Sequence, residues 1–100
     1  MNVTLQYFDG CPSWGLADER LREALREAGA DGSAITYEKI ETPEQAEKVG
    51  FRGSPTILVD GRDPFADEDA PVGLSCRVYL TDAGLEGAPS VTQLVSAIRP

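Results

Sequence analysis

An apolar run from Val3 to Phe8 breaks at Asp9-Gly10 and gives way, after Cys11-Pro12, to a charged amphipathic stretch. This seam restricts the chain more than any other feature. The run holds β-branched and aromatic residues and ends on turn residues, which predicts a central strand. From Ser13 to Ala28 the apolar positions Ala17, Leu21, Ala24, Leu25 and Ala28 recur at helical spacing. Asp18 and Arg22 form an i,i+4 pair on the wet face, and Gly29 is a good stop. Pro12 suits the first helical position, because its ring presets φ and its missing N–H would have had no partner there. A cysteine at such a seam faces unpaired backbone N–H groups and the positive end of the helix dipole. Cys11 is therefore expected to be partly exposed and to ionise more readily than a free thiol. The competing reading is an ordinary strand-to-helix turn that happens to bury a cysteine.

After a polar turn at Asp31-Gly32-Ser33, the stretch Ile35 to Ile40 has the β-formers of a second strand. Thr42-Pro43-Glu44-Gln45 is a capping box with proline at the first helical position, and Gly50 closes the short helix it opens. Phe51-Arg52-Gly53-Ser54-Pro55-Thr56 leads into the strand Ile57-Leu58-Val59 and an Asp60-Gly61 turn. That strand, beginning at Thr56, is expected to run antiparallel to the first. Gly61 to Gly73 is a long acidic loop, either a lid or a solvated surface. Its Asp67-Glu68-Asp69 cluster lacks the spacing of a calcium loop, so no metal site is expected. Leu74, Cys76, Val78 and Leu80 alternate with polar residues and predict a further strand with Cys76 on its apolar face. Asp82 to Gly87 reads as a loop. Ser90-Val91-Thr92-Gln93 is a second capping box, opening a last helix with Val91, Leu94, Val95 and Ile98 on one side. The predicted order is β-α-β-α-β-β-α: one α/β domain over residues 1–100, a mixed four-stranded sheet and helices on both faces.

Composition narrows the function. A formal charge of −8, from 17 acidic against 9 basic residues, opposes binding to nucleic acids and acidic membranes, which draws on Lys and Arg. The chain starts almost directly on Val3, Leu5 and Tyr7, without a signal-peptide pattern, and no run has the length of a membrane span. The expected location is the cytoplasm, where two cysteines would be kept reduced. The sequence contains no histidine, which removes Cys/His zinc sites and the Cys-His dyad of cysteine hydrolases. No cofactor motif is present. In a domain of 100 residues the core is modest, and a homodimer is one way to extend it.

The element order, the Cys11-Pro12 seam and Gly53-Ser54-Pro55-Thr56 before the third strand resemble a minimal thioredoxin-fold protein over nearly the whole chain. More narrowly, four segments resemble the bacterial DF family (seleno)proteins: Tyr7 to Pro12, Gly53 to Ile57, Asp60 to Phe65 and Gly73 to Tyr79. Some members of that family carry selenocysteine at the position of Cys11. The resemblance implies a cis Ser54-Pro55 bond beside Cys11, with the Ser54 backbone available to pair with a bound thiol peptide or substrate. One departure is chemical. Trp14 stands where dithiol thioredoxins have their second cysteine, so an internal Cys-x-x-Cys cycle is excluded.

The function expected on these grounds is that of a thioredoxin-like thiol-disulfide oxidoreductase or thiol peroxidase. Cys11 is its nucleophile, and Cys76 or a small cellular thiol resolves the intermediate. Its partner is a thiol or disulfide substrate, small or protein. Trp14 either flanks the substrate groove or anchors the helix; Ser54 and Pro55 line the substrate side. Asp9 either takes a proton from an incoming thiol or holds the turn, and Arg52 either holds a substrate carboxylate or lies on the surface. Two other readings remain open: a non-catalytic binding module, and soft-metal or organomercurial handling by Cys11 and Cys76. Cys76 is pulled two ways. Strand alternation places it in the core several residues short of Cys11, whereas a fold-back of the long loop would carry it to Cys11 as a resolving partner.

Overall fold

Side-chain alternation in β1 (Val3–Tyr7) sends Val3 and Leu5 to one face of the sheet, where both are fully buried, and Thr4 and Gln6 to the other. The structure is a computed structural model that describes residues 1–30, 32, 34–67 and 69–99. Asp31 and Ser33 of the expected polar turn, and Glu68 of the acidic cluster, lie outside the described residues.

β1 pairs in parallel with β2 (Ile35–Lys39), from Val3 opposite Ile35 to Tyr7 opposite Lys39. On its other side it pairs antiparallel with β3 (Thr56–Val59), with Val3 opposite Val59 and Gln6 opposite Thr56. Two strands running in parallel need a crossover, which α1 (Trp14–Glu27) supplies. α2 (Pro43–Val49) has the expected capping box, Thr42 with Gln45, and ends on Gly50 in the left-handed region. α3 (Val91–Ile98) opens on the matching box of Ser90 and Gln93.

The main core lies between the sheet and two helices. Val3, Leu5 and Ile57 meet Leu21, Ala24 and Leu25 of α1 and Leu94 and Ile98 of α3. Each buried leucine or isoleucine there contributes about 1.5–3 kcal/mol by leaving water. A smaller cluster joins Ala46 of α2 to Ile40 and Phe51, with Phe8 packed against it.

Two expectations need correction. The sheet has three strands, in the order β2-β1-β3, instead of four. On its second face Gln6, Thr56 and Leu58 line a cleft together with residues of the 63–70 loop, the 75–80 segment and Val49 at the end of α2. The strand expected at Leu74 to Leu80 is short and belongs to a separate hairpin of β4 (Tyr79–Thr81) and β5 (Gly84–Glu86), the latter in a stretch read as loop.

The hairpin also has the opposite parity. Tyr79 and Thr81 turn inward, 5% and 9% exposed, while Val78 and Leu80 face solvent at 63% and 73%. A shift of one residue exchanges the two faces of a strand. Here the exchange is driven by polar residues that find partners inside. Arg77 donates to Asp63 Oδ2 at 2.6 Å, to Thr56 Oγ1 at 3.3 Å and to the Phe65 carbonyl. Its guanidinium lies 4.6 Å from the centre of the Tyr79 ring, and the Tyr79 hydroxyl donates to the Pro55 carbonyl. The alternation of Leu74, Cys76, Val78 and Leu80 is therefore real but faces outward.

Candidate functional site

Ser54 is the fixed point of the site. It is fully buried, it precedes Pro55 through a cis peptide bond, and every polar group it carries is engaged. Its hydroxyl accepts from the Phe8 N–H at 3.3 Å, tying it to the end of β1. Its N–H donates to the Ser75 carbonyl at 2.7 Å, and its carbonyl accepts from the Arg77 N–H at 2.8 Å. Those two bonds form a parallel β-bridge between Ser54 and Cys76. The same carbonyl accepts from the Cys11 thiol at 3.4 Å.

One residue thus holds both cysteines. Both are free thiols: the Cys11 thiol donates to the Ser54 carbonyl, and Cys76 is bridged to Ser54 through the backbone. The nearby Cys11 thiol, followed by partial burial, raises the pKa of Cys76. The long loop folds back so that residues 75–77 pair with Ser54 rather than with the sheet, on the residue whose carbonyl takes the Cys11 thiol.

Cys11 itself differs from expectation in two respects. Its exposure is 0%, so it is a buried thiol and not a partly exposed one. The helix starts later than the sequence suggests: its N-cap is Ser13, so Pro12 precedes the helix and Cys11 stands two residues ahead of the cap. The Cys11 N–H closes a turn onto the Phe8 carbonyl at 3.2 Å, and the thiol points to Ser54 instead of the helix N–H groups. Cys76 has the reverse character. It is exposed and lines the cleft.

The approach of residues 75–77 depends on Gly53. Its φ is +126°, and a Cβ there would stand 3.0 Å from the Arg77 Cβ and 3.3 Å from the Ser75 carbonyl oxygen. Arg77 then clamps the segment from the far side through Asp63 and Phe65. The site's supports, Gly53, Asp63, Arg77 and Tyr79, were not singled out from sequence. The signal was present in the Arg77 and Tyr79 spacing, which places both on the face opposite Val78 and Leu80.

The remaining candidates separate. Trp14 stacks on Tyr7 with ring centres 4.3 Å apart and packs against the main core, which is the geometry of a helix anchor. Pro55 is buried. The Ser54 backbone, expected to be open to a substrate, is filled by the chain's own residues 75–77. Asp9 pairs with Lys39 at 2.6 Å on the surface. Arg52 donates through Nε to the Ala70 carbonyl at 2.8 Å and lines the cleft with Cys76.

Among the described residues no three Cys, Asp or Glu side chains converge as a metal-binding group, and no helix is long and apolar enough to cross a membrane. The chain was compared with family models, curated proteins and solved structures, and nothing matches in any of the three. The class of protein therefore rests on the site: a mixed α/β domain with a pair of thiols fastened to a buried serine.

Proposed function

We propose that this chain is a thiol-dependent redox protein of thioredoxin-like architecture, akin to the DF family, working in the cytoplasm. Cys11 and Cys76 exchange between dithiol and disulfide. The observation that carries the reading is the meeting of both cysteines on Ser54, whose carbonyl accepts from the Cys11 thiol at 3.4 Å and whose backbone is bridged to Cys76. Support also comes from the parallel β1-α1-β2 unit and the antiparallel β3. Oxidation of the pair releases two electrons and two protons to a disulfide or peroxide acceptor and joins the two sulfurs. Cys76 supplies the second thiol that Trp14 displaced from the helix.

The test is mild oxidation followed by mapping of linked peptides. An intramolecular Cys11–Cys76 bond, absent from Cys76→Ser, is the expected result. Sulfenic acid or a mixed disulfide on Cys11 beside an untouched Cys76 would mean a monothiol protein, and two inert thiols would leave a binding module. Two adjacent thiols also suit a soft metal ion. Tight mercury binding that needs both cysteines, in a protein that forms no disulfide, would favour that reading.

A further inference from the structure

We infer that Cys76, and not Cys11, is the thiol that attacks the substrate, that the substrate is a low-molecular-weight disulfide, and that Cys11 is the buried resolving thiol. This rests on the redox reading above and assigns the order of its steps. Three observations support it. Attack on a disulfide needs the thiolate sulfur to reach a sulfur of the substrate in line with the bond being broken. Cys11, at 0% exposure, presents no surface for such an approach, whereas Cys76 is exposed.

Cys76 lines a cleft of about 740 Å³, a size that suits a small molecule. The walls beside it include Ser75, Arg52 and Thr56. Finally, an extended peptide has no backbone to dock on at Ser54. The Ser54 N–H and carbonyl are already paired with Ser75 and Arg77, and the second lone pair of that carbonyl takes the Cys11 thiol. A small disulfide needs no such pairing and can enter through the cleft.

The chemistry balances in two exchanges. Cys76 gives its proton to water, and its thiolate attacks one sulfur of RSSR. The Cys76–SR bond forms, the S–S bond of the substrate breaks, and RS⁻ leaves and takes a proton from water. Cys11 then loses its proton and attacks the Cys76 sulfur. The Cys11–Cys76 bond forms and the second RS⁻ leaves and is protonated. In sum the protein dithiol is oxidised by two electrons and one RSSR is reduced to two RSH. Because the Cys11 thiol sits on the Ser54 carbonyl and Cys76 is bridged to the same residue, the second exchange takes place between neighbouring groups.

The order is tested first in the unaltered reduced protein. Brief, substoichiometric alkylation with iodoacetamide, followed by peptide mapping, should place the label on Cys76 at least tenfold over Cys11. Oxidised glutathione and bis(2-hydroxyethyl) disulfide are then supplied to two variants whose folding is checked by circular dichroism. Cys11→Ser should accumulate a stable mixed disulfide at Cys76, and Cys76→Ser should react at least tenfold more slowly. Preferential alkylation of Cys11, or a mixed disulfide that builds up rapidly on Cys11 in folded Cys76→Ser, would overturn the assignment. If that happened while the unaltered protein still formed its internal disulfide, the order would be wrong and the redox reading would stand. If the unaltered protein formed no internal disulfide with either probe, both would fall.

Discussion

Ser54 and Cys76 are paired as neighbouring strands are, through Ser54 N–H to Ser75 carbonyl and Arg77 N–H to Ser54 carbonyl, although neither belongs to one of the sheets. The position of the second thiol is therefore set by backbone bonds at the start of β3. It owes nothing to the local spacing of cysteines along a helix. A chain that lacks Cys-x-x-Cys can bring two thiols together in this way, provided the returning segment is held closely and from both sides.

The first consequence is a pH dependence of reactivity. The Cys76 thiol has its pKa raised by the nearby Cys11 thiol and by partial burial. A raised pKa leaves less thiolate at neutral pH, so alkylation of Cys76 should be slow at pH 7. It should then accelerate with pH and reach its midpoint above the value of ~8.5 for a free cysteine. Cys11→Ala removes the partner that raises it, and the midpoint should move down. The measurement is the rate of Cys76 alkylation against pH in both proteins. A midpoint below that of a free thiol, or one indifferent to Cys11→Ala, would show that Cys11 does not act on the Cys76 thiol.

Gly53 makes the close approach possible, and its replacement should uncouple the two thiols. Gly53→Ala puts a side chain at φ +126° and a Cβ 3.0 Å from Arg77 Cβ. Backbone held in a region that L residues avoid costs about 1–3 kcal/mol, so urea denaturation should show a loss of that order. Segment 75–77 should also lift from Ser54, slowing formation of the Cys11–Cys76 disulfide at least tenfold. Gly32→Ala, at a glycine with open space around its Cβ position, serves as the control and should leave that rate unchanged. Equal disulfide rates in Gly53→Ala and the unaltered protein would show that the segment does not need Gly53.

These two sites also mark how far the sequence could be read. The strand-helix alternation through Val59 was legible because period, capping boxes and glycine stops agree with one another there, as at Thr42 with Gln45 and Gly50. Beyond Gly61 local signals and tertiary bonds diverge. Val78 and Leu80 have the spacing of a buried face, yet Arg77 and Tyr79 occupy the inside because Asp63, Phe65 and Pro55 satisfy their polar groups. No local pattern encodes those partners. Cys11 was legible as a special position from its seam, but its burial comes from Ser54, a residue far away in sequence.

Arg77 should be the most sensitive support of the site. Its ion pair with Asp63 is mostly enclosed, with side-chain exposures of 10% and 20%, and the same guanidinium covers Tyr79. Removing one member of an enclosed pair leaves the other desolvated without compensation, at a cost of about 3 kcal/mol. Arg77→Ala should lose stability of that order in urea, and Arg77→Lys should fall between, since an ammonium keeps the charge and loses the fork. Residues 63–65 should loosen with it, seen as faster amide exchange at the Phe65 N–H, which donates to the Asp63 carboxylate at 2.8 Å. A fully stable Arg77→Ala would mean that the clamp is incidental.

The hairpin is fastened to α1 by a second fork, which predicts an acid dependence. Arg20 Nη1 and Nη2 donate to the two Glu86 oxygens at 3.3 and 3.2 Å, and Arg20 also reaches the Ala88 and Pro89 carbonyls. The Thr81 hydroxyl lies 2.9 Å from Glu86 Oε1. The Arg20 hydrogen bonds, followed by that of Thr81, hold the Glu86 carboxyl below its ordinary value. A carboxyl whose folded pKa is depressed binds protons more weakly in the folded state than in the unfolded chain. Its contribution to stability is therefore complete above the unfolded pKa of ~4.3 and is lost as pH falls through the lower folded value. Glu86→Gln should accordingly be less stable than the unaltered protein at pH 7 and at pH 5. The gap should narrow progressively as both are taken below pH 4, as the Glu86 carboxyl takes up its proton in the folded state. Urea denaturation of the two proteins across that range measures the gap directly. A gap that stays constant from pH 7 to pH 2 would show that Glu86 acts through packing rather than charge.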